Sequence, residues 1–325
     1  MRSGIHATFG EPADVLIMGD SPMPRPAAGQ VRIRTILAPI HNHDLWTVRG
    51  KYGYKPELPA TGGSEGLGVV DALGDGVEGL AIGQRVAAAS VHGTWAEYFV
   101  APSRMVVPLP DTIADETAAQ LLAMPLSALM LLEFLKVKPG QWIVQNSANG
   151  AVGKALTMLA ASRGNHVLNL VRRDDGVREM AELGISHTLS TNQPKWLDEA
   201  RIMLGEKLAF AAVDSIGGQA SADLLSLLGV GGTLVSFGSA TGEAMQISSG
   251  DLIFKEATVK GFWGSRISQS MAVEEKRRLV SELIRRATSG ELRLPVEAIY
   301  DLPDIAKAVS ASLQSGRKGK VLLRP

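Results

Sequence analysis

The sequence contains no cysteine among its 325 residues. This absence excludes disulfide bonds, thiol catalysis and thiolate metal ligands together. Aromatic residues are also scarce, at 5%, which disfavours a stacking surface for nucleic-acid bases. Lysine and arginine total 33, as do aspartate and glutamate, so we expect neither a nucleic-acid partner nor a charged membrane-binding surface.

Long hydrophobic runs are missing as well. The longest uncharged segment, Thr117 to Leu132, is too short for a membrane span and is interrupted by Gln120, Pro125 and Ser127. The first fifteen residues, MRSGIHATFGEPADV, lack the apolar core of a signal peptide. We therefore expect a soluble, cytoplasmic protein that does not associate with membranes.

The hydrophobic fraction of 45% is ample for two packed domains in a chain of this length. Before residue 110 the strand-like runs are short and are separated by glycine, proline and aspartate turns. They cover residues 31–37, 68–72, 85–89 and 96–100. This texture predicts a compact, mostly β domain at the start of the chain.

A strand, helix, strand unit lies at the centre of the sequence, between Gln141 and Arg173. The apolar run 142–144 suits a buried strand, residues 155–161 have helical periodicity, and a second apolar run covers 167–171. Further strand candidates lie at 210–214 and 233–238. Because strands alternate with helices, the pattern predicts an α/β domain with a doubly wound parallel sheet.

The turn of this unit indicates a cofactor. Gly150 could adopt a backbone conformation closed to other residues, and Gly153 would let the helix pack closely on the strand, so that free N–H groups face a pyrophosphate. At the end of the second strand, Arg172 and Arg173 stand where an NAD site prefers a carboxylate. Two guanidinium groups suit a 2′-phosphate, which favours NADPH over NADH. The alternatives are a simple helix start and solvated arginines.

Several ordered fragments resemble one family over essentially the whole chain. They are GKYGYKPELPATGGSEG, GTW, WIVQNSANGAVG, LVRRDD, DSIGG, GGTLVSFG, LIFKEATVKGFW and the C-terminal GKVLL. Together they are similar to the medium-chain dehydrogenase/reductase superfamily, and most resemble its zinc-free branch of mitochondrial-type 2-enoyl thioester reductases. The quinone reductase branch shares the same skeleton and comes next.

The resemblance implies a GroES-like, mostly β catalytic domain of residues 1–115 with 266–325, and a Rossmann NADPH-binding domain of residues 116–265. It implies pyrophosphate contacts at Gly150, Ala151, Val152 and Gly153, and 2′-phosphate contacts at Arg172, Arg173 and Asp174. The remaining cofactor contacts that it implies are Ser127, Phe237, Gly238, Ser239, Ala240, Phe262, Trp263, Gly264 and Lys320. A homodimer paired through the Rossmann edge near 233–261 is expected by resemblance alone.

The catalytic residue that the resemblance implies is Tyr52, in the pattern Gly-x-Tyr-Gly. A phenol can donate a hydrogen bond to a carbonyl oxygen that gains negative charge, without being ionised at neutral pH. Tyr54 is a rival two residues later, and either ring could simply close a loop. Trp95, Phe262 and Trp263 are expected to keep water from an apolar acyl chain.

Some positions depart from the branch. His41, Asn42, His43 and Asp44 replace Asn-Pro-Ser-Asp, Met124 replaces an asparagine beside the nicotinamide, and Ser127 replaces a threonine. His41 stands where zinc-bearing relatives have a cysteine ligand, but the other ligand positions are Ser64 and Ala123, so we expect no metal. His41, Tyr54, Trp95 and Met124 are assigned to the substrate pocket, whereas the roles of His41 and His43 stay open.

Three functions are compatible with these residues. The leading hypothesis is an NADPH-dependent reductase of the activated C=C bond in 2-enoyl thioesters, carried by coenzyme A or by a carrier protein. The second is an NADPH:quinone or enone oxidoreductase that uses the same cofactor site. The third is a nucleotide-binding sensor without turnover. The sequence does not define the acyl chain length.

Overall fold

The structure is a computed structural model that describes residues 1–325, and the chain divides into two compact units. One comprises Met1–Ala123, Leu283–Ser289 and Leu294–Pro325, and the other comprises Met124–Glu282 and Gly290–Arg293. Residues 266–282, which the sequence places with the catalytic domain, therefore pack with the Rossmann unit. Arg163 of that unit donates hydrogen bonds to Glu282 at 2.7 Å and to Glu133 at 2.8 Å, which helps to hold them there.

The first part of the chain is built mainly from strands. They are β1 (Arg2–His6), β2 (Ile17–Asp20), β3 (Gln30–Pro39), β4 (Ala60–Thr61), β5 (Glu65–Leu73), β6 (Arg85–Ala89), β7 (Tyr98–Pro102) and β8 (Val106–Pro108). Three short helices lie among and after them: α1 (Pro12–Val15), α2 (Asn42–Val48) and α3 (Asp115–Ala118).

Strand β3 organises the larger sheet of this unit. It pairs antiparallel with β5 and with β7, and β5 continues through β6 to β8. Val31 and Ile33 point into a core with Val70 and Phe99, because alternate residues of a strand face opposite sides of its sheet. A separate three-stranded sheet has the order β2-β1-β4.

The second unit alternates strands with helices. Its strands are β9 (Trp142–Gln145), β10 (His166–Val171), β11 (Thr188–Ser190), β12 (Ala209–Asp214), β13 (Leu228–Ser236) and β14 (Thr258–Gly261). The helices from residue 123 onwards are α4 (Ala123–Leu135), α5 (Ala151–Ser162), α6 (Asp174–Glu182), α7 (Trp196–Leu204), α8 (Gln219–Ser226), α9 (Ser249–Phe254), α10 (Gly264–Ser270) and α11 (Val273–Thr288).

All six strands of the second unit are parallel, in the order β11-β10-β9-β12-β13-β14. The order reverses beside β9, which is the switch point where doubly wound sheets bind ligands. The predicted parallel α/β sheet is thus confirmed. Strand β13 begins at Leu228 and ends at Ser236. The predicted bounds 233–238 were therefore too late at both ends. The glycines at 229, 231 and 232 had hidden the first half of β13.

The C-terminal segment returns to the first unit. It forms β15 (Val296–Asp301), α12 (Ile305–Leu313) and β16 (Lys320–Arg324). Strand β16 is antiparallel to β3, where Leu323 pairs with Ala38 and Leu322 with Pro39. This pairing confirms the expected return of the last strand to the first domain. Taken helix by helix, the structure has none that is both long and apolar enough to cross a membrane.

Candidate active site

The turn between β9 and α5 has the features of a phosphate site. Gly150 is the N-cap of α5, so the unpaired N–H groups of Ala151, Val152 and Gly153 begin the helix. A Cβ at Gly153 would lie 2.5 Å from the carbonyl oxygen of Ala148 and 2.8 Å from its Cα. Only glycine allows this close approach of the helix to the turn that precedes it.

The conformation expected of Gly150 was wrong. Its φ is −72°, which any residue can adopt. The residue with a left-handed backbone in this turn is Ser147, at φ 49°. Gly150 instead serves close packing, because a Cβ there would lie 3.2 Å from the carbonyl oxygen of Ser147.

The two arginines follow the adjacent strand. Residues 142–145 of β9 pair in parallel with 166–169 of β10, so the turn after β9 and the residues after β10 share one edge of the sheet. Arg172 is exposed there, and the partly exposed Arg173 is the N-cap of α6. Asp174 accepts a hydrogen bond from Gln193 at 2.8 Å, and its contacts with Ser190 and then Gln193 lower its pKa.

A buried ion pair connects these two segments. Lys154 of α5 donates to Glu179 of α6, and both side chains are almost fully buried. The amide of Asn149, in the turn after β9, donates to the other oxygen of Glu179 at 3.2 Å. The turn and the helix that follows the arginines are thereby fixed to each other, which sequence reading missed.

A second buried network supports the loops after β12 and β13. The amide of Asn146 donates to Asp214 at 2.7 Å, and the Ser221 hydroxyl donates to the other carboxylate oxygen at 2.5 Å. The carbonyl of Asp214 accepts from the N–H groups of Phe237 and Gly238 at 2.7 and 3.1 Å. These bonds position the backbone of two predicted cofactor contacts.

The aromatic residues of the Rossmann unit divide into packed and exposed rings. Phe262 packs against Phe237 at 5.6 Å between ring centroids, whereas Trp263 is 68% exposed. A Cβ built on Gly264 would lie 3.5 Å from the Ser127 hydroxyl, so α4 and the start of α10 adjoin. Other residues assigned from the sequence are the half-buried Met124 and the exposed Ser239 and Ala240.

A cavity of about 70 Å³ lies in the first unit, beside the loop that carries the two tyrosines. Tyr52 and Tyr54 are 42% and 41% exposed. The ring of Tyr54 stacks on His92 at 3.9 Å, and Tyr52 stacks on His43 at 5.7 Å. The full lining is His6, His43, Asp44, Thr47, Val48, Tyr52, Tyr54, Pro56, Thr61, Gly62, Gly63, Ser64 and His92.

Three polar side chains form a hydrogen-bonded chain in the wall of this cavity. The Nε2 atom of His43 lies 2.7 Å from the hydroxyl of Ser64, and that hydroxyl donates to Asp44 Oδ1 at 2.6 Å. The other oxygen of Asp44 accepts the N–H of His41 at 2.9 Å, at the start of α2. Sequence reading left His43 without a role.

Beneath the cavity wall lies a fully buried polar group. His41 Nε2 is 2.7 Å from Glu65 Oε2, and Glu65 Oε1 accepts the N–H groups of Leu122 and Ala123 at 2.7 and 2.8 Å. Burial raises the pKa of Glu65 to about 7 and lowers that of His41. Lys320 donates to the carbonyl of Ile40 at 3.3 Å, and burial lowers its pKa to about 8.

Three of the four residues assigned to the substrate pocket do not line this cavity: Met124, His41 and Trp95. His41 is fully buried behind His43, on which it stacks at 5.1 Å. Trp95 is also fully buried, and its ring lies directly under Gly62 and Gly63, where any Cβ would come within 2.6 Å of it. His41 and Trp95 are both buried behind the side chains and backbone that line the cavity, and they support that lining. No group of three or more histidine or carboxylate residues is arranged to hold a metal ion.

Two family descriptions match the chain: "Alcohol dehydrogenase GroES-like domain" over residues 27–111 and "Zinc-binding dehydrogenase" over 151–282. An enoyl-[acyl-carrier-protein] reductase, mitochondrial, of Caenorhabditis elegans is 34% identical over 296 residues, covering 89% of this chain and 85% of the relative. The chain belongs to the medium-chain dehydrogenase/reductase superfamily and is an oxidoreductase of that superfamily.

Solved structures share the whole architecture. A mycobacterial quinone oxidoreductase has a TM-score of 0.89 at 27% identity, with 100% of both chains covered. A mycobacterial structure complexed with NADPH has a TM-score of 0.87, also at 27% identity and with 100% of both chains covered. The similarity therefore extends to both the thioester reductase and the quinone reductase branches, as the sequence fragments indicated.

Proposed function

We propose that this oxidoreductase uses NADPH to reduce the C=C bond of 2-enoyl thioesters. The observation that carries the proposal is the pair of partly exposed tyrosines at a polar cavity, in a chain similar over most of its length to an enoyl-[acyl-carrier-protein] reductase. A similar structure contains NADPH, and the two arginines after β10 suit its extra phosphate.

The residues of the Rossmann unit fit this cofactor. The N-terminus of α5 would hold the pyrophosphate, where Gly153 leaves no side chain between the helix and the backbone of Ala148. Arg172 and Arg173 would bind the 2′-phosphate through charge-assisted hydrogen bonds. Bound NADPH supplies a hydride, which reaches the β-carbon of an unsaturated thioester in this class of reduction.

Tyr52 has the complementary task. Addition at the β-carbon places negative charge on the thioester carbonyl oxygen, and a phenol O–H donated to that oxygen stabilises the enolate as it forms. The ring of Tyr52 is held by its stacking on His43. Tyr54 is held in the same way by His92.

A quinone or enone reductase is the second candidate, and the mycobacterial quinone oxidoreductase of similar structure favours it. NADPH oxidation by the purified chain should be followed with a short 2-enoyl thioester and, in parallel, with a quinone, and the products should be identified by mass spectrometry. Formation of the saturated thioester supports the proposal. Turnover of the quinone alone supports the second candidate, and tight NADPH binding without any turnover supports a sensor.

A further inference from the structure

The chain of His43, Ser64 and Asp44 has a defined direction. Asp44 is almost fully buried and accepts two hydrogen bonds, one from the backbone of His41 and one from the Ser64 hydroxyl. A serine has a single hydroxyl hydrogen, and in Ser64 this hydrogen points to Asp44. Ser64 must therefore accept the hydrogen bond from His43, which places a hydrogen on Nε2 of the imidazole.

This assignment leaves Nδ1, the other nitrogen of the ring, available for proton transfer. With Nε2 fixed as a donor, Nδ1 of His43 is the atom that gains and loses a proton. The Asp44 carboxylate lies 3.5 Å from Nε2. The arrangement of a carboxylate that orients an imidazole through a hydroxyl resembles the supporting role of the third residue in a catalytic triad.

The position of the ring suits contact with a small molecule. The side chain of His43 is 28% exposed at the cavity, and its ring stacks with the rings of His41 and Tyr52. The groups close to it are thus His41, which is the N-cap of α2, Asp44 of α2, Ser64 before β5, and Tyr52. The Glu65 carboxylate, which pairs with His41, also interacts with it electrostatically. The only role given to His43 so far is the stacking that holds the ring of Tyr52.

From these contacts we infer that His43 is a catalytic proton donor to the α-carbon of the reduced substrate. The inference rests on the proposed function. After hydride has been added at the β-carbon, the enolate carries an electron pair, and this pair takes the proton from Nδ1 of the imidazolium to form the new α-C–H bond. The saturated thioester leaves, the imidazole is neutral, and water returns the proton.

Tyr52 and His43 then have different tasks. A phenol has a pKa near 10, which suits hydrogen bonding to the developing oxyanion, whereas an imidazolium can release its proton near neutral pH. Proton transfer by a positioned side chain typically contributes about 10²–10⁴-fold to the rate. Ser64 and Asp44 act as positioning residues, since they hold the ring and its tautomer.

The first test replaces His43 by glutamine, which can still donate a hydrogen bond to Ser64 but cannot transfer a proton. We expect kcat with an enoyl thioester to fall at least about a hundredfold. The NADPH Kd should be unchanged, and the solvent deuterium isotope effect on kcat should rise. His166→Gln, on the exposed start of β10, is the control. Imidazole added to His43→Ala should restore part of the rate.

The second readout does not depend on turnover. Histidine ring ¹⁵N chemical shifts in the whole protein, with the His43 signal identified by its loss in H43Q, should show a proton on Nε2. Ser64→Ala should change this tautomer ratio and lower kcat. A neutral ring protonated only on Nδ1 contradicts the inference.

The outcomes separate the two proposals. If the wild-type protein reduces no enoyl thioester, the proposed function is wrong and the inference falls with it. If the wild type reduces the thioester and H43Q keeps its kcat and its isotope effect, the inference alone is wrong. Loss of NADPH binding in H43Q, with kcat unchanged at saturation, also contradicts a role in proton transfer.

Discussion

His41 and Glu65 form a 2.7 Å hydrogen bond, and both residues are fully buried. Burial has opposite effects on the two groups: it raises the pKa of Glu65 from 4.5 to about 7 and lowers the pKa of His41 below its usual 6.5. Both changes favour the uncharged forms. We therefore expect the folded protein to hold one proton on Glu65, and the unfolded chain between pH 4.5 and 6.5 to hold one on His41.

Because the numbers of bound protons match, this pair should leave stability nearly independent of pH between 4.5 and 6.5. Glu65→Gln leaves only His41, and the free energy of unfolding should then fall as the pH drops below 6.5. His41→Gln leaves only Glu65, and the free energy should then fall as the pH rises from 4.5 to 7. Each slope is at most about 1.4 kcal/mol per pH unit.

Urea unfolding of the wild type and of both variants, measured across this range, checks these signs. The wild type serves as the internal control, since its slope should lie between the slopes of the variants. Slopes of the same sign in the two variants would contradict the neutral pair.

Gly153→Ala should damage the cofactor turn. Its new Cβ would meet the backbone of Ala148, which cannot move aside as a flexible side chain can. We expect a loss of about 1–3 kcal/mol in stability together with weaker NADPH binding. Gly261→Ala is the matched control, because a Cβ there meets nothing within 4 Å. Equal effects of the two variants on thermal unfolding and NADPH titration would refute the packing account.

Arg172→Ala and Arg173→Ala should each weaken NADPH binding while leaving NADH binding nearly unchanged. A hydrogen bond to a charged group is worth about 1.5–3 kcal/mol, which corresponds to a Kd about 10–100 times higher. Arg178→Ala is the control, since this exposed arginine of α6 pairs with Asp175 instead. Fluorescence titration with each cofactor measures the Kd for NADPH and the Kd for NADH. An equal loss of affinity for NADPH and NADH would show that the arginines do not bind the 2′-phosphate.

The sequence predicted the fold best where local pattern and tertiary structure agree. The apolar runs of β9 and β10, separated by a helical segment, are typical of a strand, helix, strand unit, and both strands lie in the parallel sheet. The end of β13 was misplaced because Phe237 and Gly238 continue its apolar pattern, although the strand ends at Ser236, opposite the last residue of β12, Asp214. The buried hydrogen bond of Asp214 with Asn146 joins residues that are 68 positions apart.

The cavity wall was also hard to predict, because its hydrogen bonds join residues that lie far apart in the sequence. The HNHD motif drew attention to His43 but could not give it a role, because its partner Ser64 lies 21 positions away. These two side chains meet only because α2 begins beside the start of β5. Gly150 shows the opposite error: a glycine in a turn was expected to have a left-handed backbone, yet Ser147 has it.

The central claim is that Tyr52 supports reduction of a 2-enoyl thioester. The most direct measurement is NADPH oxidation, followed by absorbance, for the wild type, Tyr52→Phe and the comparison variant Tyr54→Phe, each with a short enoyl thioester and a quinone. Loss of one donor to a developing oxyanion lowers kcat by about 10²–10³-fold. We expect that loss in Tyr52→Phe with the thioester, a smaller loss in Tyr54→Phe, and unchanged NADPH binding. Thioester turnover that survives intact in Tyr52→Phe would contradict the account.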